Sequence, residues 1–381
     1  MTDFLNTKFA LRRLLINPAL KDTTKSIQKD LLTLELEPEI RNQINLLAEQ
    51  LVLNPDSVLL DKYDDETERK KDWIALRKLN TLDADNEILP IDARQRSGHK
   101  ILDHHMPHFY DVKNYKGVSV RGLFTKEVLA KALMTNIQMH TTPYKSEIRR
   151  MIMMTSGMGS VTKYRAITAK ALIQHFKAKR VLDPCAGWGG RMLGCLSAGA
   201  DTYYYGCEPD PNTARGLFNI LDDNAIPVAD RMRATIVELP AEIATGIFIN
   251  TIPVPVFDMV LTSPPYYNLE LYTAGEQSTT NFPSWEEWCE KWLKKVILNC
   301  LASLKQDGVS CWSVKNFKSD KKYPLADVTK KIHEEAGWHL VNTVKMTGSA
   351  RPGGNRIDDD GRETRKSEEE TFCFKRNNLL R

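Results

Sequence analysis

Two stretches of this 381-residue chain combine bare backbone and reactive side chains in ways that chemistry needs. The first, VLDPCAGWGGRMLGCLSAGADTYYYGCE, runs from Val181 to Glu208. An apolar run ends in Asp183, a turn holds Gly187, Gly189 and Gly190, a helical segment follows, and an aromatic run closes on Glu208 and Pro209. Glycines permit conformations and close approach that a side chain blocks, and a helix start presents unpaired N–H groups. A ligand can therefore lie against this loop, in contact with Cys185, Ala186, Gly187 and Gly189. An acidic residue about twenty positions beyond such a turn accepts hydrogen bonds from ribose hydroxyls. Glu208 holds that place. The dinucleotide fingerprint G-x-G-x-x-G is broken, because Met192 stands at its third glycine, which argues against a nicotinamide cofactor.

The second stretch is FDMVLTSPPYYN, Phe257 to Asn268. An apolar strand, Phe257 to Leu261, runs into Ser263, Pro264, Pro265 and Tyr266. Consecutive prolines fix an extended backbone and remove two N–H donors, so the motif offers acceptors: the Ser263 hydroxyl and the Ser263 and Pro264 carbonyls. Rigid acceptors beside an aromatic ring suit the exocyclic amino group of a nucleobase, whose two N–H bonds they receive while Tyr266 stacks on the base.

In this order, about eighty residues apart, the two stretches resemble the S-adenosylmethionine-dependent amino-methyltransferases of DNA, which carry a glycine loop after strand one and (Ser/Asn/Asp)-Pro-Pro-Tyr after strand four. The resemblance covers Tyr164 to Arg376. It implies S-adenosylmethionine as cofactor, DNA as partner, and a flipped base methylated on cytosine N4 or adenine N6. Serine at the first motif position is more frequent among cytosine-N4 enzymes. It also implies that Asp183 joins the cofactor residues, that Glu238 or Glu242 meets the adenine amino group, and that Lys163, Tyr164 and Arg165 close over the methionine end. Ser263, Pro264, Pro265 and Tyr266 would be catalytic, with Tyr267 and Asn268 beside the nucleic acid. No covalent intermediate is needed, an aromatic residue standing where cytosine-C5 enzymes place their cysteine. Two other readings stand beside this one: an RNA base amino-methyltransferase, and a non-catalytic nucleic-acid-binding subunit of the same fold.

These residues need a frame to hold them. From Val181 onward strand and helix signals alternate, which predicts a Rossmann-like, doubly wound α/β sheet over residues 156–381. TYYYGCE, ATIVELPAE, GVSCWSVK, HLVNTVKM and ETFCFK supply the remaining strands. Asn212 to Asp222 and SWEEWCEKWLKKVILNCL read as helices, the second with Trp285, Trp288 and Trp292 in the core. Residues 1–97 read as mainly helical, with breakers Pro18, Pro38 and Pro55 between apolar-periodic runs. KYDDETERKKDWIALRKL fits an exposed helix of mixed charge. Residues 98–155 form a connector with a strand-like VSV and a helix capped by Thr125.

The net charge of +4 is unevenly spread. Residues 98–180 carry 15 basic against 4 acidic side chains. With Tyr110, Tyr115, Tyr144 and Tyr164 interleaved, this block fits a phosphate-tracking surface, Arg149 and Arg150 facing nucleic acid. Arg351 and Arg356 lie in a charged, glycine-containing connection, GSARPGGNRIDDDGRETRKSEEE, which is too long for a simple hairpin and suited to wrapping a substrate. Seven cysteines, none in C-x-x-C spacing, read as reduced and mostly buried thiols, with no zinc site. His99, His104, His105 and His108 match no common zinc spacing and read as a hydrogen-bonded or phosphate-contacting turn. No apolar run approaches the eighteen residues of a membrane span and no secretory pattern opens the chain, so the expected location is cytoplasmic. A restriction-modification partner, a phage anti-restriction role and a regulatory role are all compatible with the sequence.

Overall fold

The structure is a computed structural model, which describes residues 38–61, 63–91, 95–139, 144–156, 162–251, 255–272, 277–350, 356–357, 363–364 and 366–377. The apolar runs before Pro38 and Arg351 lie outside the described residues. The chain divides into two units that interleave in sequence, 1–61 with 108–161 and 62–107 with 162–381.

The larger unit is built on a seven-stranded sheet: β1 Arg180–Asp183, β2 Tyr203–Cys207, β3 Ala234–Val237, β4 Phe257–Thr262, β5 Leu304–Ser313, β6 Trp338–Ala350 and β7 Lys366–Arg376. Their spatial order is 3-2-1-4-5-7-6. β3, β2, β1, β4 and β5 are mutually parallel, and β7 runs antiparallel to both β5 and β6. This is the expected Rossmann-like, doubly wound sheet. Its order reverses between β1 and β4, the switch point at whose carboxyl end such sheets bind ligands. Both chemically suggestive stretches leave the sheet there, the glycine loop after β1 and Ser-Pro-Pro-Tyr after β4.

Parallel strands are covered on both faces, so β1 and β4 read as continuous apolar runs. Val181, Leu182, Met259, Val260 and Leu261 are all buried. One layer over β4 and β5 centres on Trp288, Trp292, Leu293, Val296 and Ile297. Each fully buried large apolar side chain contributes roughly 1.5–3 kcal/mol. The tryptophan helix contains a π-helical turn, Trp288–Leu293, before Lys294–Ser303. Trp285, Trp288 and Trp292 stack in series along it, centroids 5.6 and 4.8 Å apart. The β6–β7 connection differs from expectation. The strands pair out to Ala350 and Lys366, and Arg356–Ile357 pairs with Glu363–Thr364 as a separate short two-stranded ladder. At these described residues the stretch is paired strand rather than open loop.

The helix Glu66–Lys78 belongs to this unit and is not simply exposed. Arg69, Asp72, Trp73 and Leu76 are buried, Arg69 Nε meets Asp223 at 2.7 Å, and Lys170 Nζ donates to the Leu76, Arg77 and Leu79 carbonyls. That ammonium satisfies the orphan carbonyls at the helix end.

The smaller unit is helical. Pro38–Leu53, Lys126–Gln138 and Lys145–Ser156 enclose Ile44, Leu51, Leu129, Leu133, Ile148 and Met151. Thr125 caps the second helix through the Val128 N–H. The VSV segment makes only an isolated bridge, Ser119 to Lys113. Among the described residues no helix is long and apolar enough to cross a membrane.

Candidate active site

Asp183 ends β1, and its carboxylate is the centre of the glycine-loop side. Cys185 N–H (3.2 Å) and the Thr262 hydroxyl (2.8 Å) donate to Oδ1, while Arg191 Nε and the Tyr204 hydroxyl, both at 2.7 Å, donate to Oδ2. A carboxylate offers about four acceptor sites, and here all four are filled inside the protein. The resemblance makes Asp183 a cofactor residue. The structure instead makes it the joint that ties the glycine loop, β2 and the last residue of β4 together. Arg191 needs that joint. It stands in the first turn of Gly190–Ala198, where a cation opposes the helix dipole, and its side chain is buried. The paired carboxylate holds the guanidinium charged. Its Nη2 also reaches the Cys185 and Ala186 carbonyls, and it lies 5.0 Å over the Tyr164 ring.

The loop itself is shaped for close approach. Gly187 (φ +55°) and Gly189 (φ +83°) are left-handed. A Cβ on Gly187 would meet nothing nearer than 3.8 Å, so that side of the loop is open, whereas one on Gly190 would come within 1.9 Å of the Tyr164 carbonyl oxygen. Gly190 thus lets Tyr164 pack on the helix start. The Ala186 N–H is occupied by the Cys207 carbonyl at 2.8 Å. Cys185 is half-buried, and burial raises its thiol well above the usual range, so it is a packing residue.

Glu208 follows β2. Its Oε2 accepts the Gly187 N–H and its Oε1 the Asp210 N–H, each at 2.9 Å. Those bonds leave acceptor capacity on both oxygens. Burial pushes this carboxyl up to about 7 against those two bonds. Asp210 caps the helix Pro211–Asp222 through Thr213 N–H, and Pro209 between them is exposed. Of the two acidic residues offered for an adenine, Glu242 is buried and accepts Trp292 Nε1 at 2.8 Å, while Glu238, just past β3, is exposed. The open flank at Gly187, the partly filled Glu208 and the exposed Glu238 fit an adenosyl group across the ends of β1, β2 and β3.

On the other side, Ser263, Pro265 and Tyr266 are half-buried and Pro264 is buried. The Tyr266 ring meets Phe317 edge-on at 5.4 Å. Tyr267 takes a left-handed turn (φ +45°) and goes inward. It packs against Trp285, Trp288 and Tyr323, and its hydroxyl donates to the Pro283 carbonyl at 2.5 Å. Tyr267 is therefore a core anchor, not a base contact. Asn268 donates to Asp320 Oδ1 (2.9 Å) and accepts from the Ser319 hydroxyl (2.8 Å), which fixes the exit of the motif. Sequence reading missed Thr262, Tyr204 and Arg191. A lone arginine at a helix start, opposed to the helix dipole, is the one signal in the sequence that could have pointed to a buried carboxylate.

The basic connector contributes less to any surface than its charge implies. Arg149 is buried, donating to the Val58 and Leu59 carbonyls and to Asp61 at 2.6 Å, so it is a structural residue of the helical unit. Arg150 pairs with Glu147 at 2.6 Å, Arg121 with Asp56 and Asp111, and Lys126 with Glu49. His105 meets Asp223 at 2.8 Å and His104 lies 3.6 Å from Asp64. Among the described residues no group of three or more His, Cys, Asp or Glu could hold a metal. Arg351 lies outside the described residues, and of Arg356 only the backbone is described.

Residues 257–379 match the family model N6_N4_Mtase, DNA methylase. The match supports an amino-methyltransferase family and methyl transfer as the chemistry. It begins at β4, so the glycine loop stands on its geometry alone. No curated protein matches the chain. Among solved structures, precorrin-6y C5,15-methyltransferase from Geobacter metallireducens GS-15 is 13% identical with a TM-score of 0.32, over 52% of this chain and 80% of that one. An SAM-dependent O-methyltransferase from Thermotoga maritima is 12% identical, TM-score 0.35, over 60% and 72%. TrmN from Thermus thermophilus is 12% identical, TM-score 0.36, over 62% and 68%. Likeness at this level carries no argument about activity, and the fold rests on the strand order.

Proposed function

We propose that this chain transfers a methyl group from S-adenosylmethionine to the exocyclic amino group of a base flipped out of DNA, cytosine N4 being favoured over adenine N6 by Ser263. The observation that carries the reading is the Asp183–Thr262 bond, which joins the glycine loop to the residue immediately before Ser-Pro-Pro-Tyr at the switch point of the sheet. Two half-sites held by one buried carboxylate keep a fixed separation, which is what a transfer between two bound molecules requires.

In this reading Glu208 accepts ribose hydroxyls, Gly187 leaves room for the ligand, and Tyr164, Glu238 and Pro209 border it. S-adenosylmethionine, when bound, supplies an electrophilic methyl. The Ser263 hydroxyl and Pro264 carbonyl accept the amino N–H bonds and so leave the nitrogen lone pair directed out of the acceptor pocket. Tyr266, braced by Phe317, receives the base face and offsets part of the unstacking cost, on the order of a few kcal/mol. Pro265 keeps the segment extended.

The test is transfer of labelled methyl from S-adenosylmethionine to duplex DNA and, separately, to RNA, followed by nucleoside mass spectrometry. N4-methylcytosine or N6-methyladenine in DNA is expected, abolished by Tyr266→Ala with cofactor binding retained. Label confined to RNA would replace the DNA reading, and absence of cofactor binding would remove the enzyme reading altogether.

A further inference from the structure

Beyond β5 the chain forms a small antiparallel hairpin, Phe317–Lys318 with Lys322–Tyr323, in which Phe317 faces Tyr323 and Lys318 faces Lys322. Side chains alternate across a strand, so the hairpin has one aromatic face and one basic face. The aromatic face is docked. Phe317 stacks on Tyr323 at 5.1 Å and meets Tyr266 edge-on, while Tyr323 packs on Tyr267 and Trp285.

The basic face is not paired. Lys318 and Lys322 are exposed, and among the described residues neither has a carboxylate partner. Lys321 lies over the Tyr323 ring. The hairpin's single carboxylate, Asp320, accepts from Asn268 and the Tyr323 hydroxyl, and those bonds, Asn268 foremost, hold it well below the usual range. Like charges directly opposite each other destabilise a strand pair, and a ladder this short has little to spare. Lys318 and Lys322 therefore oppose the hairpin they sit on, an arrangement that a bound anion would relieve.

We propose that Lys318 and Lys322 clamp the phosphodiesters flanking the base presented to Tyr266. The proposal rests on the nucleic-acid reading above and names the surface that reading lacks. The aromatic face fixes the hairpin against Tyr266, so the lysines travel with the base-accepting ring. Phosphates held there would set which nucleotide is opposite Ser263, without reading its sequence.

The experiment compares the full chain with the Lys318→Gln/Lys322→Gln variant, using fluorescent duplex DNA and anisotropy over a salt series, with melting temperature and cofactor binding measured alongside. Each phosphate contact adds about 0.9 to the slope of log K against log salt, so the double variant should be shallower by about 1.8. Its melting temperature should hold or rise, because a repulsion is removed, and cofactor binding should not change. Lys322→Arg should keep the wild-type slope. An unchanged slope in a protein that methylates DNA overturns the clamp and leaves the enzyme reading standing. A fall in melting temperature also overturns it, since the lysines would then be structural. Cofactor binding without any methyl transfer to DNA removes the underlying reading and the clamp with it.

Discussion

Asp183 closes β1 and Glu208 follows β2, so two buried carboxylates stand one strand apart at the same edge of the sheet, in different company. Asp183 receives four donors, one of them a buried guanidinium, and has nothing left to offer. Glu208 receives two backbone N–H groups and no cation. A family resemblance reads both as cofactor residues, because both fall at the right distance from the glycines. The donor count separates them. A carboxylate whose lone pairs are filled by the protein organises the site, and one left partly filled, with its charged form disfavoured by burial, waits for a donor.

Asp183→Asn breaks the comparison most severely. The amide NH2 would face Arg191 Nε and the Tyr204 hydroxyl, donor against donor, and would leave the guanidinium buried without its counter-charge. Losing one partner of a buried pair costs about 3–5 kcal/mol. Denaturant or thermal unfolding should register that loss in the absence of any cofactor. A variant as stable as the parent would show that Asp183 does not organise the loop.

Glu208→Gln should be far milder for the fold. The glutamine carbonyl can still accept one backbone N–H while the NH2 faces the other, donor against donor, but an amide no longer carries the desolvation cost of a buried charge and no buried cation is stranded, so any loss of stability at neutral pH should be far smaller than for Asp183→Asn. Cofactor affinity should fall about ten- to hundredfold by calorimetry, the worth of a hydrogen bond to a charged group. The pH profile sharpens the point. The Glu208 carboxyl titrates about 7 in the fold against 4.5 without it, so the folded state holds the extra proton across that window. Stability contributed by this group therefore declines as pH rises from 4.5 to about 7, while affinity for a hydroxyl-donating ligand climbs as the carboxylate ionises. Both slopes should vanish in Glu208→Gln. A parent protein whose affinity is flat across pH 7 would detach Glu208 from the ligand.

Much of this is legible in the amino-acid sequence itself. The strand sequence from Arg180 to Arg376, the capped helix at Thr125 and the burial of Trp288 and Trp292 follow from periodicity and turn chemistry, which are local. Long-range pairing is not legible. Arg149 reads as a surface cation because its charge is visible in the sequence, while Asp61 and the carbonyls of Val58 and Leu59, which consume it, are about ninety positions away. Glu242 and Glu238 look equivalent until Trp292, fifty residues on, takes one of them. The interleaving of 62–107 with the sheet unit has no compositional trace, since Arg69 and Asp223 declare their bond only when folded. Lys318 and Lys322 of the hairpin escape sequence reading in the other direction, as a modest local excess that lacks such partners.

The mildest variant, Thr262→Val, tests whether the two halves of the site are coupled. Valine keeps the volume and the strand preference, so β4 should stay in register, and Asp183 would lose one of its four donors. A neutral hydroxyl lost to a carboxylate that retains Arg191, Tyr204 and the Cys185 N–H should cost about 1 kcal/mol of stability. The freed lone pair would make Asp183 slightly more like Glu208. The larger change belongs to catalysis, because Thr262 is the residue before Ser263 and its bond sets where the motif leaves the strand. Methyl transfer should fall several-fold further than cofactor affinity. Equal losses in the two would mean that the glycine loop and the Ser-Pro-Pro-Tyr segment are positioned independently, each by its own strand, and that Asp183 serves the first alone.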